Sequence, residues 1–148
     1  AIARYIVENM DPEIFYILGP GTTTKVIADL LGVKKTLLGV DIIKNGKIIA
    51  RDVGEKKILE VIRGKKAKII VTPIGNQGFI FGRGNQQISP KVIREVGIKN
   101  VIVIATRYKL STIKYLRVDT SDESLDEELR GYTRVIVDYN EEKVVKVV

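Results

Sequence analysis

The stretch TPIGNQGFIFGRGNQQISP, residues 72–90, decides how the rest of the chain is organised. It is rich in glycine and in amide side chains such as Asn76, Gln77 and Gln86, and its only ionised side chain is Arg83. Glycine lets a backbone approach a ligand closely or adopt positive φ, and amides both donate and accept hydrogen bonds. Amides without carboxylates suit a neutral or anionic ligand better than a metal ion. The stretch therefore predicts a ligand loop and no metal site, and the alternative is a surface loop with turn glycines.

Strand and helix patterns alternate on both sides of this loop. The apolar run 67–72 enters it, and Ser89 is placed to cap a helix that begins at Pro90. Asn45-Gly46 is a strong hairpin signal, because both residues of such a turn need positive φ. The pattern predicts an α/β fold, with α+β as the alternative. We expect a single compact domain whose mixed β-sheet carries hairpins and flanking helices.

The individual elements follow from periodicity and from Gly and Pro breakers. We predict helices over residues 2–10, 23–31, 55–63, 90–96 and 108–115. We predict strands over residues 15–18, 36–43, 48–53, 67–72, 100–106, 116–119, 132–139 and 143–148. The acidic segment 120–129 is predicted to be a solvent-facing loop with one or two helical turns.

Composition excludes several kinds of chemistry. The chain has no cysteine and no histidine, which removes disulfides, thiolate or imidazole metal sites and histidine acid–base catalysis. Its formal charge of +7 favours anionic partners such as nucleotides or phosphorylated metabolites, although a lysine-rich solvated surface is the alternative. No nucleic-acid-binding signature and no apolar run of the ~20 residues that a membrane helix needs is present. We expect a cytoplasmic protein that binds neither membranes nor nucleic acid.

A second candidate site is GPGTTTK, residues 19–25, between a predicted strand and a predicted helix. This geometry places backbone N–H groups around an anion. The hydroxyls would add donors and the lysine a counter-charge, but the Walker spacing is absent. The alternative is an ordinary turn in which Thr22 caps the helix. The predicted phosphate-binding residues are Gly19, Gly21, Thr22, Thr23 and Lys25.

Asp41 is a carboxylate within an apolar strand pattern, which is costly unless it is paired or faces outward. It could accept hydrogen bonds from a ribose diol, or it could lie on the polar face of a hairpin strand.

Together these motifs resemble the NAD kinase superfamily. Residues 72–90 have the same length as the family motif TPTGSTAYSLSAGGPIVHP, and the corresponding positions are Thr72, Pro73, Gly75, Gly84, Ile88 and Pro90. Residues 40–43, VDII, resemble the family's Asn-Glu-Val-Val strand, whose polar pair binds the nucleotide ribose. The combination looks closer still to the C-terminal part of an archaeal and bacterial ATP-NAD kinase-like branch, related to the X protein of acetoin catabolism.

The resemblance implies a phosphotransferase that moves the γ-phosphate of ATP, or a phosphate of polyphosphate, to the 2′-hydroxyl of the adenosine ribose of NAD. NAD or a related nucleotide would be the substrate, and the intact enzyme would use ATP and Mg²⁺. The nucleotide-binding residues that it implies are Asp41, Thr72, Pro73, Gly75, Asn76, Gln77, Gly78, Phe79 and Arg83.

The sequence departs from the family pattern at two places, which affect the expected catalytic residues and the expected nucleotide. The catalytic Gly-Gly-Asp-Gly motif of the family's N-terminal domain is absent, so the catalytic residues are unknown and a separate N-terminal kinase domain is the expected partner. The family's Ser-Thr-Ala-Tyr is replaced by residues 76–79, NQGF, which leaves the identity of the nucleotide open. The rival hypothesis is a non-catalytic regulatory or oligomerisation domain that binds another nucleotide or phosphorylated metabolite. Exposed hairpin edges can pair with a second copy, so we expect a homo-oligomer.

Overall fold

A mixed β-sheet forms the centre of the computed structural model, which describes residues 1–148. The strands are β1 (Phe15–Leu18), β2 (Asp41–Lys44), β3 (Lys47–Ala50), β4 (Ala67–Val71), β5 (Phe79–Phe81), β6 (Val101–Ile104), β7 (Arg117–Val118), β8 (Gly131–Asp138) and β9 (Glu141–Val147). Seven of them form one sheet in the order β3-β2-β1-β4-β6-β8-β9, and β5 pairs with β7 in a separate two-stranded sheet. The predicted α/β class and mixed sheet are confirmed.

The centre of the large sheet is parallel and both of its edges are hairpins. β1, β4, β6 and β8 are parallel neighbours, whereas β2–β3 and β8–β9 are antiparallel. The first hairpin turns at Asn45 and Gly46, whose φ angles of 52° and 72° confirm the predicted turn.

Helices cover both faces of the parallel strands. They are α1 (Ile2–Glu8), α2 (Thr22–Leu30), α3 (Glu55–Ile62), α4 (Pro90–Val96), α5 (Arg107–Thr112) and α6 (Glu123–Leu129), with a 3₁₀ turn at Ile98–Asn100. Side chains alternate between the faces along each strand: Ile17 and Ile69 pack in one core with α3 and α4, and Leu18 and Ile70 pack in another with α1 and α2. No helix has the length and apolar character needed to cross a membrane.

Because β1, β4, β6 and β8 are parallel, their carboxyl ends lie along one edge of the sheet, which we call the carboxyl edge. Gly19 follows β1 and Thr72 follows β4 at this edge. Antiparallel β2 begins there, with Asp41 opposite Leu18. Ligands of open α/β sheets bind outside the carboxyl ends of the strands, so the fold brings both predicted motifs to the edge where a ligand is expected.

The loop of residues 72–90 is more ordered than a plain surface loop. Its middle forms β5, and its backbone turns back on itself where Ile74 N–H donates to the carbonyl of Phe79 at 2.8 Å. Phe81 is fully buried. The predicted Ser89 cap is confirmed, since its hydroxyl accepts a hydrogen bond from Val92 N–H.

Three local predictions are wrong. Residues 36–40 are not strand, because the Asp41 carboxylate accepts hydrogen bonds from the Thr36 N–H and hydroxyl and turns them into a loop. Thr22 is the first residue of α2 and not its cap; Gly21 occupies the cap position without a side-chain hydrogen bond. Asp126 of the acidic segment is buried, because it accepts hydrogen bonds from Thr120 N–H and Oγ1.

Replacing Phe81 tests whether this loop contributes to the core. We expect Phe81→Ala to lower the free energy of unfolding by about 3–5 kcal/mol, because it removes a fully buried ring. Urea denaturation measures the change. The control is Tyr132→Ala, whose side chain is 75% exposed and whose loss should cost about 0.5 kcal/mol or less. Equal effects of the two substitutions would show that the loop does not belong to the core.

Candidate functional site

The loop from β1 into α2 is held in place by its own chain. Gly19 N–H donates to the carbonyl of Ile70, and Gly21 N–H donates to that of Leu37, each at 2.9 Å. Thr24 Oγ1 donates to the carbonyls of Gly19 at 2.6 Å and Gly21 at 3.1 Å. The glycine amides are thus used internally. The N–H groups open to a ligand are those of Thr22 and Thr23, because the first turn of a helix has no intrahelical acceptors for them and Thr24 is fully buried.

The loops after β1 and β4 touch each other. Gly21 has a φ of +121°, and a Cβ atom on it would lie 2.9 Å from Thr72 Cγ2. A Cβ on Gly19 would lie 3.1 Å from Val71 Cγ1 and 3.4 Å from Asn85 Nδ2. Glycine is therefore required at Gly21, by both its φ and this contact, and Gly19 leaves little room for a side chain. The structure thus brings together Gly19, Gly21, Thr22, Thr23, Thr72 and Pro73, which the sequence assigned to two sites.

A cavity of about 480 Å³ opens beside the first turn of α2. Thr22 and Thr23 line one side, and Thr106, Arg107 and Asp138 line another. The positive end of the α2 dipole and the Arg107 guanidinium favour an anion here, whereas the Asp138 carboxylate opposes one. Arg107 is also paired with Glu141, so its charge is partly neutralised and the helix N–H groups are the more direct anion ligands.

Lys25 does not reach this cavity. Its Nζ lies 3.2 Å from Asp29 Oδ1, in an ion pair along the surface of α2. Binding of phosphate by Lys25 stays a prediction, and it would require the side chain to leave Asp29.

Asp41 is fully buried at the carboxyl edge. Its Oδ2 accepts from Thr36 N–H at 3.0 Å, and its Oδ1 accepts from Thr36 Oγ1 at 2.5 Å and Asp52 N–H at 3.3 Å. The carboxylate is occupied by the protein itself, as the sequence expects of a charge in an apolar setting. The ribose contact predicted for Asp41 stays a prediction, and it would require the loop that covers this fully buried side chain to open.

Lys35, which the sequence analysis did not single out, closes the same loop. Its side chain is buried, and Nζ donates to the carbonyls of Thr36 and Gly39, each at 2.8 Å. Burial lowers the pKa of Lys35 to about 8, although the nearby carboxylates of Asp41 and Asp52 oppose the shift. Lys34 and Lys35 form a charged pair in the sequence, which is usually a sign of a surface, so nothing in the pattern marks one of them as buried.

The rest of the predicted nucleotide-binding residues lie elsewhere. A second cavity, of about 430 Å³, is lined by Asn76, Gln77, Phe79, Arg83, Thr112, Ile113, Lys114, Tyr115 and Arg117, and we call it the cationic pocket. Gly75 precedes Asn76 of this pocket, and Gly78 lies between its lining residues Gln77 and Phe79. The carbonyl of Gly75 accepts a hydrogen bond from Lys109 Nζ at 2.7 Å, which fixes this part of the loop to α5.

Asn85 is a second residue that the sequence analysis missed. It is buried beside Gly19, and its Nδ2 donates to the carbonyl of Ile80 at 3.2 Å. Its Oδ1 is buried without a hydrogen-bond partner. A buried acceptor of this kind usually receives a hydrogen bond from water or a ligand. In the sequence Asn85 is one amide among several in the loop, so no pattern distinguishes it.

No group of three or more acidic side chains is arranged to hold a metal ion. The site is therefore one of backbone N–H groups, hydroxyls and amides at the carboxyl edge of a parallel sheet.

These features define an α/β domain with a site suited to an anionic ligand. A family described as the ATP-NAD kinase C-terminal domain matches residues 11–147, and the chain belongs to this family. The resemblance to the NAD kinase superfamily is thereby confirmed, whereas the archaeal and bacterial branch stays a prediction. No curated protein and no solved structure matches the chain significantly.

The pKa of Lys35 predicts a specific pH dependence of stability. Between pH about 8 and the ordinary lysine value of 10.5, the unfolded chain binds more protons than the native protein at this residue. The contribution of Lys35 to the free energy of unfolding must therefore rise with pH across this window. We expect the stability difference between the wild type and Lys35→Met to change by an amount on the order of 2 kcal/mol over the window.

Urea denaturation at several pH values in this window measures the change. Lys34→Met is the control, because Lys34 is the exposed neighbour of Lys35. Parallel stability curves for the wild type and Lys35→Met would contradict the lowered pKa.

Thr24→Val tests how the loop after β1 is held. The substitution keeps the size of the side chain but leaves the Gly19 and Gly21 carbonyls without their hydroxyl donor. We expect a loss of about 1–3 kcal/mol in the free energy of unfolding. Thr22→Val also removes a threonine hydroxyl, but at an exposed position of the same helix. It should lower the free energy of unfolding by about 0.5 kcal/mol or less. Thermal or urea denaturation distinguishes the two, and similar losses would rule out a specific role for Thr24.

Proposed function

We propose that this chain is the nucleotide-holding domain of an NAD kinase-like phosphotransferase, and that the intact protein transfers a phosphoryl group from ATP to NAD. The observation that carries the proposal is the contact of Gly21 with Thr72 beside the open first turn of α2. Membership of the ATP-NAD kinase C-terminal domain family supports a nucleotide as the ligand. The +7 charge of the chain agrees with an anionic nucleotide.

In this proposal a phosphate group of the nucleotide binds at the N–H groups of Thr22 and Thr23, where the helix dipole favours negative charge. Thr22 and Thr23 add hydroxyl donors from the same turn. Thr72, at the start of the loop after β4, lies beside Gly21 and so beside this helix start. Phosphoryl transfer depends mainly on such positioning and on neutralisation of charge.

The remaining parts of the reaction come from outside these residues. The family's Gly-Gly-Asp-Gly motif is absent from the chain, so the group that activates the acceptor hydroxyl would belong to a partner N-terminal kinase domain. The residues present do not form a metal site, and Mg²⁺ would enter with the phosphates of ATP. We also propose that the protein acts in the cytoplasm as a homo-oligomer.

A regulatory or oligomerisation role is the second candidate, and the exposed edge of the sheet favours it. Val144 on the edge strand β9 is 62% exposed. The unpaired backbone groups of an open strand edge can pair with a second copy. Leu38, in the loop before β2, is a further apolar side chain that is 77% exposed. Size measurement in solution distinguishes the roles, since an oligomer indifferent to NAD, NADP and ATP would favour regulation or assembly alone.

A negative charge at Thr23 tests the proposed phosphate site. Thr23 is in the first turn of α2 and lines the cavity. We expect Thr23→Glu to weaken the binding of NAD and ATP by about tenfold or more, because the carboxylate repels the phosphate from the same N–H groups. The fold should be unharmed, since a carboxylate at a helix N-terminus is favourable. Calorimetric titration measures the affinities.

Thr23→Gln is the matched control, because it has the same length without the charge. It should keep most of the affinity. The proposal is wrong if Thr23→Glu binds NAD, NADP and ATP as the wild type does. It is equally wrong if neither this chain nor a longer protein that includes the N-terminal domain binds any of the three.

A further inference from the structure

The loop between α2 and β2 contacts two parts of the candidate site, the Asp41 carboxylate and the Gly21 amide. We propose that residues 34–39, which we call the strap, are an autoinhibitory segment. The strap opens as one unit and, when closed, occupies these two groups in place of a ligand. The inhibitory role rests on the function proposed above. The opening itself is a property of the chain and is tested without a ligand.

Consecutive residues of the strap make the two contacts. Thr36 donates from its N–H and its hydroxyl to the Asp41 carboxylate, at 3.0 and 2.5 Å. The carbonyl of Leu37 accepts a hydrogen bond from Gly21 N–H at 2.9 Å. Successive Cα atoms are only about 3.8 Å apart. A movement that carries one of these residues away from its partner therefore releases the other as well.

The closed strap presents the same kinds of atoms as a polar, anionic ligand. The Thr36 hydroxyl donates to the carboxylate as a ligand hydroxyl would, and the Leu37 carbonyl oxygen accepts from Gly21 as an anionic oxygen would. A ligand must displace the strap to reach either group. Release also adds the Gly21 N–H to those of Thr22 and Thr23 at the positive end of α2.

The strap is anchored at its ends and weakly held between them. Val33 N–H, on one side, donates to a carbonyl of α2 at 3.0 Å, and Val40, on the other side, is fully buried. Between these anchors the strap contains no helix or strand, and Leu37 and Leu38 are 45% and 77% exposed. A segment with so little buried apolar surface opens locally without unfolding of the domain.

Lys35 closes the strap at a cost that opening removes. Its Nζ donates to the carbonyls of Thr36 and Gly39, each at 2.8 Å. Burial lowers the pKa of Lys35 to about 8, because the closed strap holds the ammonium where its charge is disfavoured. Opening returns the ammonium to water, which offsets part of the hydrogen bonding that is lost.

Gly39→Ala tests the strap without removing any of its hydrogen-bonding groups. A Cβ atom at Gly39 would lie 2.5 Å from Thr36 Oγ1 and would also overlap Asp52 Oδ1. The Asp52 side chain is exposed and can turn away, whereas the Thr36 hydroxyl is bonded to Asp41. The φ of Gly39 is not in the left-handed region, so alanine does not strain the backbone. The added methyl group therefore acts against the closed form.

Amide hydrogen exchange followed by NMR measures the opening. In the wild type we expect the amides of Gly21 and Thr36 to have the same free energy of opening, since one movement exposes both. In Gly39→Ala both amides should exchange at least about tenfold faster. The amide of Gly19, which donates to Ile70 and not to the strap, should be unchanged.

Thr36→Val and Thr36→Ser are a matched pair for the same measurement. Valine has no hydroxyl for Asp41 and should accelerate exchange at Gly21, whereas serine keeps the hydroxyl and should restore the wild-type rate. Leu38→Ala is the control within the strap, because its exposed side chain holds nothing closed. Unequal opening of Gly21 and Thr36 in the wild type would overturn the proposal. Equal acceleration at Gly19 in Gly39→Ala would do so too.

Calorimetric titration with NAD tests the inhibitory role. A ligand that has to displace the strap binds with an affinity reduced by the fraction of open molecules. Gly39→Ala should therefore bind NAD about tenfold more tightly than the wild type, and Leu38→Ala should bind it as the wild type does. Equal or weaker binding by Gly39→Ala, with NAD bound by the wild type, would overturn the inhibitory role and leave the proposed function intact.

The failure of the proposed function has a different signature. If neither the wild type nor Gly39→Ala binds NAD, both the proposed function and the inhibitory role are wrong. Coupled exchange of Gly21 and Thr36 would still establish the strap as a single opening unit, because that measurement involves no ligand.

Discussion

The close approach of Gly21 to Thr72 is the constraint on which the candidate site depends. Parallel pairing of β1 with β4 brings the two strand ends side by side, and only a residue without Cβ fits at Gly21, since that atom would lie 2.9 Å from Thr72 Cγ2. The hydroxyl of Thr24 donates to the carbonyls of Gly19 and Gly21 and so holds this loop, and no side chain caps the helix. The result is a helix start whose N–H groups are free on the side where the sheet ends.

Local chemistry explains which parts of the fold could be predicted from the sequence. The Asn45-Gly46 turn and the Ser89–Pro90 helix start depend on neighbouring residues, and both were predicted correctly. Residues 36–40 were predicted wrongly, because their apolar pattern suits a strand. Their loop is imposed by the Asp41 carboxylate, which reaches back to Thr36, and by the buried Lys35 ammonium. A buried polar network leaves no periodic signal in a sequence.

The sequence did not indicate how the predicted site residues are arranged in space. It presented residues 72–90 as one loop, whereas the middle of this loop pairs with the two-residue strand β7. A strand as short as Arg117–Val118 has no recognisable period, so the division into two cavities could not be foreseen. Lys114 and Arg117 enter the second cavity for the same reason, although they are far from Asn76 in the chain.

The contacts of Asp41 differ from those that the family resemblance implies. In the family resemblance its position belongs to a polar pair that binds ribose, yet here the carboxylate accepts three hydrogen bonds from the protein. The Asp41 side chain is fully buried, so a ribose diol could reach it only if the loop held by Thr36 and Lys35 were to open. Ribose contact at Asp41 stays a prediction. With the loop closed, the N–H groups at the start of α2 and not the Asp41 carboxylate are exposed at the carboxyl edge.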